Sequence, residues 1–490
     1  MGEILDGIRS GKLPAARKTR GDAHVVLGEE CLRLNPADGT IASRVPAMRA
    51  NDARKIANRA ALAFAGWSRM DGADRAAILR RAAGLIGSRH DELAALMRDE
   101  IGATPAWQAF NLDQAAWQFR QAADLAESFQ TEIRPDQNGQ HLIFREPAGV
   151  CLGIAPWNAP LALGTRAIAT ALACGNAVIL KASEICAGSH LAIGRILSEA
   201  GLPEGVLSIV THAPEHAEEV VQALIAHEVV RRVNFTGSTR VGRKVAELAA
   251  VSLKRCLLEL SGKAALIVLE DADLPAAADA AIYGAFLNQG QICMSTDRII
   301  VLDAVADRFA ALLTERARML HAGPPEEGAP LGPVVSEAAA ERLQTLVAEA
   351  VARGAELLCG GGNRGTFMDA TLLDHVEPGT RLYSEEIFGP VLSICRAANE
   401  AEALSIANDS RYGLSAAVWS RDIARATRLA RQIESGMCHI NAPTLMDRPD
   451  MPVGGIKESG YGRFGGFAAL DEFTELRWVA VGNGAVRQPR

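Results

Sequence analysis

The stretch "LNQGQICMSTDR", residues 287–298, puts Cys293 between a polar Gln-Gly-Gln run and a short Met-Ser-Thr segment. A thiol on a loop, beside backbone N–H donors that support a thiolate, can serve as a covalent nucleophile. Cysteine is also among the residues most often buried as a small hydrophobe, so the residue type alone leaves packing open. "LLELSGK" (257–263) ends an apolar strand in a single carboxylate, Glu259. Desolvation there would raise its proton affinity and make a general base; a salt-bridged structural role is the alternative. "APWNAP" (155–160) sets Trp157 and Asn158 between a strand and a helix. The neutral amide of Asn158 could donate to a developing oxyanion, or it could only cap a helix or turn.

Other motifs concern anions and cofactors. "GSTRVG" (237–242) fails the phosphate-loop pattern, because the lysine falls at 244 with no Ser or Thr after it, and no G-x-G-x-x-G follows a strand. What remains is a strand, Gly237, and Ser238 at a helix N-terminus, where free N–H groups and the helix dipole favour an anion. A plain turn and cap would use the same residues. "NAVILKASE" (176–184) places Lys181 and Glu184 just past a strand's carboxyl end, where a ribose can lie in a doubly wound sheet and where polar groups are also simply solvated.

The elements that must position these groups follow from periodicity. Residues 52–130 are Ala-rich, with apolar positions at helical spacing. From 149 the pattern alternates: strand "VCLGIAPW", helix "LALGTRAIATALA" ending at Gly175, strand "NAVILKA", helix "SHLAIGRILSEAG", then strands "GVLSIV", "VVRRVNF" and "RCLLEL" separated by helices. A second series starts near 264 with "AALIVL", a helix from about 275 to 288, "RIIVL", a helix "ADRFAALLTERARML", and later strands "PVLSIC" and "SAAVWS". Such alternation predicts an α/β protein of two domains with mostly parallel sheets, joined near 259, with ligands at the carboxyl ends of the strands.

Composition sets the outer bounds. A chain of 490 residues exceeds one ordinary core. Its net charge of −7 and interspersed charges give no footprint for nucleic acid or a polybasic membrane patch. The charged N-terminus "MGEILDGIRSGKLPAARKTRGD" lacks the apolar core of a signal peptide, no apolar run matches a membrane span, and a cytoplasmic location is the expectation. The nine cysteines form no C-x-x-C pair and no Cys/His grouping at metal spacing, so free thiols and no metal are expected. "GNGAVRQPR" reads as a frayed tail.

In order and spacing, "APWNAP", "GNAVILKASE", "GLPEGVLSIV", "VNFTGSTRVG", "LELSGKAALIVLEDADL", "GQICMSTDRI", "EEIFGPVLSI" and "GGIKESGYGR" resemble the aldehyde dehydrogenase superfamily from about residue 50 onward. The resemblance implies a Rossmann-like NAD-binding domain (1–125 and 148–258), an α/β catalytic domain (259–465) and a small β oligomerisation element (126–147 and 466–490). It also implies a homodimer or homotetramer. Cys293 would be the nucleophile, Asn158 and the Cys293 N–H the oxyanion donors, and Glu259 the base that hydrolyses a thioester. On the cofactor side, Lys181 and Glu184 would hold the adenosine ribose, and Trp157 and Ser183 would also bind the cofactor. Gly237 and Ser238 would hold the pyrophosphate, and Glu386 and Phe388 the nicotinamide ribose. A carboxylate at Glu184 favours NAD, with NADP possible.

"PWNAPLALGTRAIA" and "SGYGRFGG...EFTELRW" look most like the bacterial benzaldehyde, salicylaldehyde and vanillin type. Ala159 stands where many relatives carry Phe and would widen the acyl tunnel, and Val453 would remove an aromatic wall. Arg166, i+7 from Ala159, would meet a polar ring substituent or pair with a structural carboxylate. Ser261 stands where Gly is usual. A semialdehyde dehydrogenase gripping a substrate carboxylate with Arg166, a coenzyme-A-acylating enzyme, and a catalytically silent binding protein are the competing readings.

Overall fold

A computed structural model describes residues 17–18, 24–128, 132–136 and 139–482. The alternation of apolar strands with helices builds two mostly parallel sheets. The first has the spatial order Gly460–Tyr461, Arg255–Glu259, Val230–Thr236, Val150–Ile154, Ala177–Lys181, Leu207–Val210, with only its first pair antiparallel. The second runs Glu356–Cys359, Thr371–Asp374, Val391–Ala397, Thr296–Leu302, Ala264–Val268, Ser415–Trp419, Met437–Ile440, again antiparallel only at one edge. Their central strands are buried on both faces, as continuous apolar runs such as "AALIV" require. Only 260–263 separate Arg255–Glu259 from Ala264–Val268, so the carboxyl end of one sheet feeds directly into the other.

The helical stretch resolves into Ala50–Trp67, Gly72–Ser88, His90–Ile101 and Pro105–Glu127. The single helix expected over "LALGTRAIATALA" is instead two, Pro160–Arg166 and Ala169–Ala173. The break has a cause: the Ala167 carbonyl accepts a hydrogen bond from Asn234 Nδ2 at 3.0 Å on the neighbouring strand. An antiparallel sheet of four short strands, between Arg17 and Pro46, precedes the helices; its strands are too short for their alternation to register in the sequence.

A third, antiparallel sheet joins Thr474–Gly482 to Gly139–Pro147 and Glu132–Asp136. Residues 1–16, 19–23, 129–131, 137–138 and 483–490, which include most of the expected frayed tail, lie outside the described residues. Among the described residues no helix is long and apolar enough to cross a membrane, and no group of three His, Cys, Asp or Glu is placed to hold a metal ion. All nine cysteines are unpaired.

Candidate active site

The Cys293 loop owes its shape to an unusual backbone. After the helix Leu274–Phe286, three successive residues are left-handed: Asn288 (φ 50°), Gln289 (φ 55°) and Gly290 (φ 67°). A non-glycine residue in this region costs roughly 1–2 kcal/mol, so the surroundings must hold it. Asn288 Nδ2 donates to the Asn158 carbonyl (3.0 Å), Gln289 Nε2 donates to the Pro333 carbonyl (2.9 Å), and Gln291 Oε1 accepts the Val335 N–H (2.9 Å). Close backbone approach fixes both flanks: a Cβ at Gly290 would sit 2.2 Å from the Gly389 oxygen, and one at Gly262 would sit 2.2 Å from the Cys293 oxygen. The polar "NQGQ" run is therefore a set of braces for the loop that carries the thiol.

Glu259 ends its strand beside Thr236, and its carboxylate faces the same cavity as Cys293. The carboxylate is not alone. Arg166 Nη2 donates to Glu259 Oε2 at 2.6 Å, Arg166 Nη1 lies 3.6 Å from Asp447 Oδ2, and the guanidinium stacks 4.7 Å from the Phe464 ring centre. Of the two partners open to Arg166, it takes carboxylates, and one of them is the candidate base itself.

The thiol departs from expectation. A loop position was taken to support a thiolate, but burial and then the Glu259 carboxylate push the Cys293 thiol well above its ordinary range, with Arg166 opposing. At neutral pH the resting sulfur is protonated and needs a base. Asn158 lines the cavity with it; Nδ2 donates to the Gln291 carbonyl at 2.9 Å, its one partner among the described residues, which leaves a second N–H to give.

On one side of Cys293 opens a cleft of about 610 Å³ lined by Trp157, Asn158, Lys181, Ser183, Glu184, Gly237, Ser238, Glu259, Glu386 and Phe388. Trp157 and Phe388 meet edge to face across it, ring centres 5.6 Å apart. Ser238 caps the helix Thr239–Val251 through the Val241 N–H, so helix N-terminus and strand ends converge here. A further apolar space of about 520 Å³, walled by Val221, Val241, Val245 and Leu248, continues from it past Lys181. A cleft that joins an apolar space, a helix N-terminus and carboxylates at strand ends suits a dinucleotide. Burial opposes ionisation of Glu184, but Lys181 and His212 outweigh it and hold the carboxyl below its ordinary range. Burial pushes the Glu386 carboxyl up to about 7, while Glu386 Oε1 accepts the Gly262 N–H at 3.0 Å.

On the other side lies a narrow cavity walled by Trp107, Phe110, Ala159, Leu163, Ile292, Met294 and Leu445, with Arg166 and Asp447 at its end. Trp107 and Phe110 stack at 4.8 Å and 6°, and Trp107 Nε1 donates to the Asn158 carbonyl at 2.8 Å. Ala159 belongs to this wall. Val453 bonds reciprocally with the Phe464 backbone and lines an adjoining space of about 20 Å³ that shares Arg166 and Asp447 with this cavity. Sequence reasoning missed Trp107, Phe110 and Asp447. The aromatic pair sits at i, i+3 on one helix face, a signal that was present in "AWQAF"; a lone aspartate in "LMDRPD" carried none.

The sequence matches the aldehyde dehydrogenase family over residues 27–479. It is 48% identical over 460 residues to a vanillin dehydrogenase of Pseudomonas fluorescens, covering 93% of this chain and 95% of that one. To a salicylaldehyde dehydrogenase of Pseudomonas putida it is 44% identical over 453 residues, 92% of this chain and 94% of the other. The crystal structure of a salicylaldehyde dehydrogenase from Pseudomonas putida G7 complexed with salicylaldehyde superposes with a TM-score of 0.92 at 43% identity, over 94% of this chain and 96% of that one. A thiol, an amide and a carboxylate at the meeting of a dinucleotide-sized cleft and an apolar cavity, on a chain that matches along nearly its whole length, lead to one conclusion: the protein belongs to the aldehyde dehydrogenase family.

Proposed function

We propose that this protein oxidises an aromatic aldehyde of the benzaldehyde, salicylaldehyde or vanillin class to its carboxylic acid, with NAD as the oxidant. The observation that carries the reading is the cavity at Cys293 walled by the stacked Trp107–Phe110 pair, a flat apolar surface matched to an aryl ring. The names of the relatives support it.

Glu259 takes the proton of the Cys293 thiol, and the sulfur adds to the aldehyde carbon. The second Asn158 N–H and the Cys293 backbone N–H donate to the oxyanion of this thiohemiacetal. Lys181, Ser183, Glu184, Gly237, Ser238 and Glu386, with Trp157 and Phe388, would hold the dinucleotide, which would supply the hydride acceptor when bound. Once the thioester stands on Cys293, Glu259, its first proton released to solvent, takes one from water; the oxygen attacks the acyl carbon, the C–S bond breaks, and the acid leaves.

With purified protein and NAD, kcat/KM for benzaldehyde, salicylaldehyde or vanillin exceeds that for succinate semialdehyde by at least about tenfold. The reverse order transfers the assignment to a semialdehyde dehydrogenase. That alternative needs Arg166 free to grip a substrate carboxylate, whereas Arg166 faces Glu259 and Asp447.

An ionised Glu184 accepts from ribose hydroxyls and repels a 2′-phosphate, which supports NAD over NADP. Glu386 adds a pH dependence. Its carboxyl is ionised above about 7, and only the carboxylate is a full acceptor for nicotinamide-ribose hydroxyls. KM for NAD therefore rises as pH falls from 8 to 6, by up to about tenfold. Glu386→Gln has a raised KM that no longer varies over this range; a wild-type KM flat with pH removes Glu386 from ribose binding.

The described residues of 1–125 and 148–258 would serve as the NAD-binding domain, with 259–465 as the catalytic one. Leu476 (62% exposed) and Trp478 (68% exposed) on the strand Thr474–Gly482 support assembly into a homodimer or homotetramer. Nine unpaired thiols are consistent with a reducing, cytoplasmic setting.

A further inference from the structure

Three charged side chains meet at the end of the aldehyde cavity: Arg166 between Glu259 and Asp447. Their side chains are 8%, 2% and 8% exposed, so neither screening by water nor surface flexibility dilutes the contacts. They come from separate elements: the helix Pro160–Arg166, the strand Arg255–Glu259 and the segment that follows Met437–Ile440. The guanidinium is held in plane by the Phe464 ring and touches Thr236 Oγ1 at 3.4 Å, so it cannot swing away from either acid.

Two carboxylates against one guanidinium leave the cluster one positive charge short. A buried carboxylate with an arginine to itself forms a closed, neutral pair and is a poor proton acceptor. A second acid on the far side of the guanidinium divides its charge and leaves the trio ready to take a proton. We propose that Asp447 is a positioning residue for the deacylation step: by holding Arg166 from the side opposite Glu259, it keeps Glu259 basic enough to deprotonate the attacking water. Burial raises the Asp447 carboxyl above its ordinary range, with Arg166 opposing the rise and Glu259 adding to it. This rests on the assignment of Glu259 as the base.

The charged groups facing Glu259 are Arg166, Asp447, Cys293 and, from the 385–390 loop, Glu386. In the acyl-enzyme the Cys293 sulfur is tied up in a thioester and cannot titrate. Glu386 is common to all variants and cancels in their comparison. The pH dependence of acyl-enzyme hydrolysis therefore isolates the Arg166–Asp447 effect.

The enzyme is acylated on Cys293 with 4-nitrophenyl benzoate, and loss of the benzoyl group is timed by acid quench and intact mass between pH 5.5 and 9. In Asp447→Asn the guanidinium falls to Glu259 alone: the acid limb of the hydrolysis profile moves down by about one pH unit and the plateau drops several-fold. Arg166→Met removes the cation and moves the same limb up. Asp447→Glu restores the wild-type position, and Asp447→Ser repeats the Asn result should the latter not fold. Limbs that move together, or not at all, in acylated Asp447→Asn and Arg166→Met overturn the proposal, because a merely structural role has no reason to shift them in opposite directions. Failure of the underlying reading looks different: Glu259→Gln would then hydrolyse the acyl group at the wild-type rate with its acid limb intact.

Discussion

Cys293→Ala ends NADH formation from benzaldehyde, lowering kcat by at least about a thousandfold, while NAD still binds within about twofold of the wild-type affinity. Among the described residues that line the aldehyde cavity, this sulfur is the one atom able to add to the carbonyl and then leave as an acyl carrier. None of the other eight thiols can stand in for it: six are buried in the core, and Cys359 and Cys438, half-buried like Cys293, line neither side of the catalytic cavity. The loop geometry makes the replacement clean. Asn288, Gln289 and Gln291 brace the backbone through their own side chains, and Gly262 and Gly290 close on it through main-chain contacts, so removing one sulfur disturbs none of these. NADH production by titration with benzaldehyde, and NAD binding by calorimetry, are the two measurements. Activity within tenfold of wild type in the alanine variant would end the thioester scheme.

The parts of this site that lie at the ends of regular elements were legible before any coordinates. Strands such as "NAVILK" and "LLE" are apolar runs with an abrupt polar end, and in a parallel sheet those ends converge, which places Lys181, Glu184 and Glu259 together without further knowledge. Side-chain pairing across the fold was another matter. Arg166 and Glu259 are 93 residues apart and Asp447 is farther still, and nothing in local periodicity says which carboxylate a buried guanidinium will meet. The same gap explains the error over the thiol. A loop beside backbone N–H donors suggests a supported thiolate, yet packing encloses this loop and sets a carboxylate beside the sulfur, and both raise its proton affinity. The place of Val453 was illegible for a related reason: it is set by the reciprocal backbone bridge to Phe464, not by distance from any motif.

Glu259→Gln separates the two halves of the reaction. It forms one rapid equivalent of NADH per site and then turns over about a hundredfold to ten-thousandfold more slowly than wild type. Survival of the burst is not obvious, because in the wild-type resting enzyme Glu259 takes the thiol proton. The electrostatics resolve the difficulty. After burial, the Glu259 charge is what holds the Cys293 thiol high, and Arg166 pulls the other way. Glutamine removes the Glu259 charge and leaves Arg166 opposing burial alone, so the thiol is held less high and gives its proton to solvent more readily than beside the carboxylate. Glutamine also keeps an oxygen where Arg166 Nη2 donates at 2.6 Å, so the guanidinium stays seated. Water attack has no such substitute, because the amide cannot accept a proton. Stopped-flow absorbance of NADH, with site concentration fixed by thiol titration, reads burst and steady state in one trace. An unchanged steady-state rate would remove Glu259 from deacylation, and loss of the burst with NAD binding intact would make Glu259 indispensable to formation of the thiohemiacetal as well.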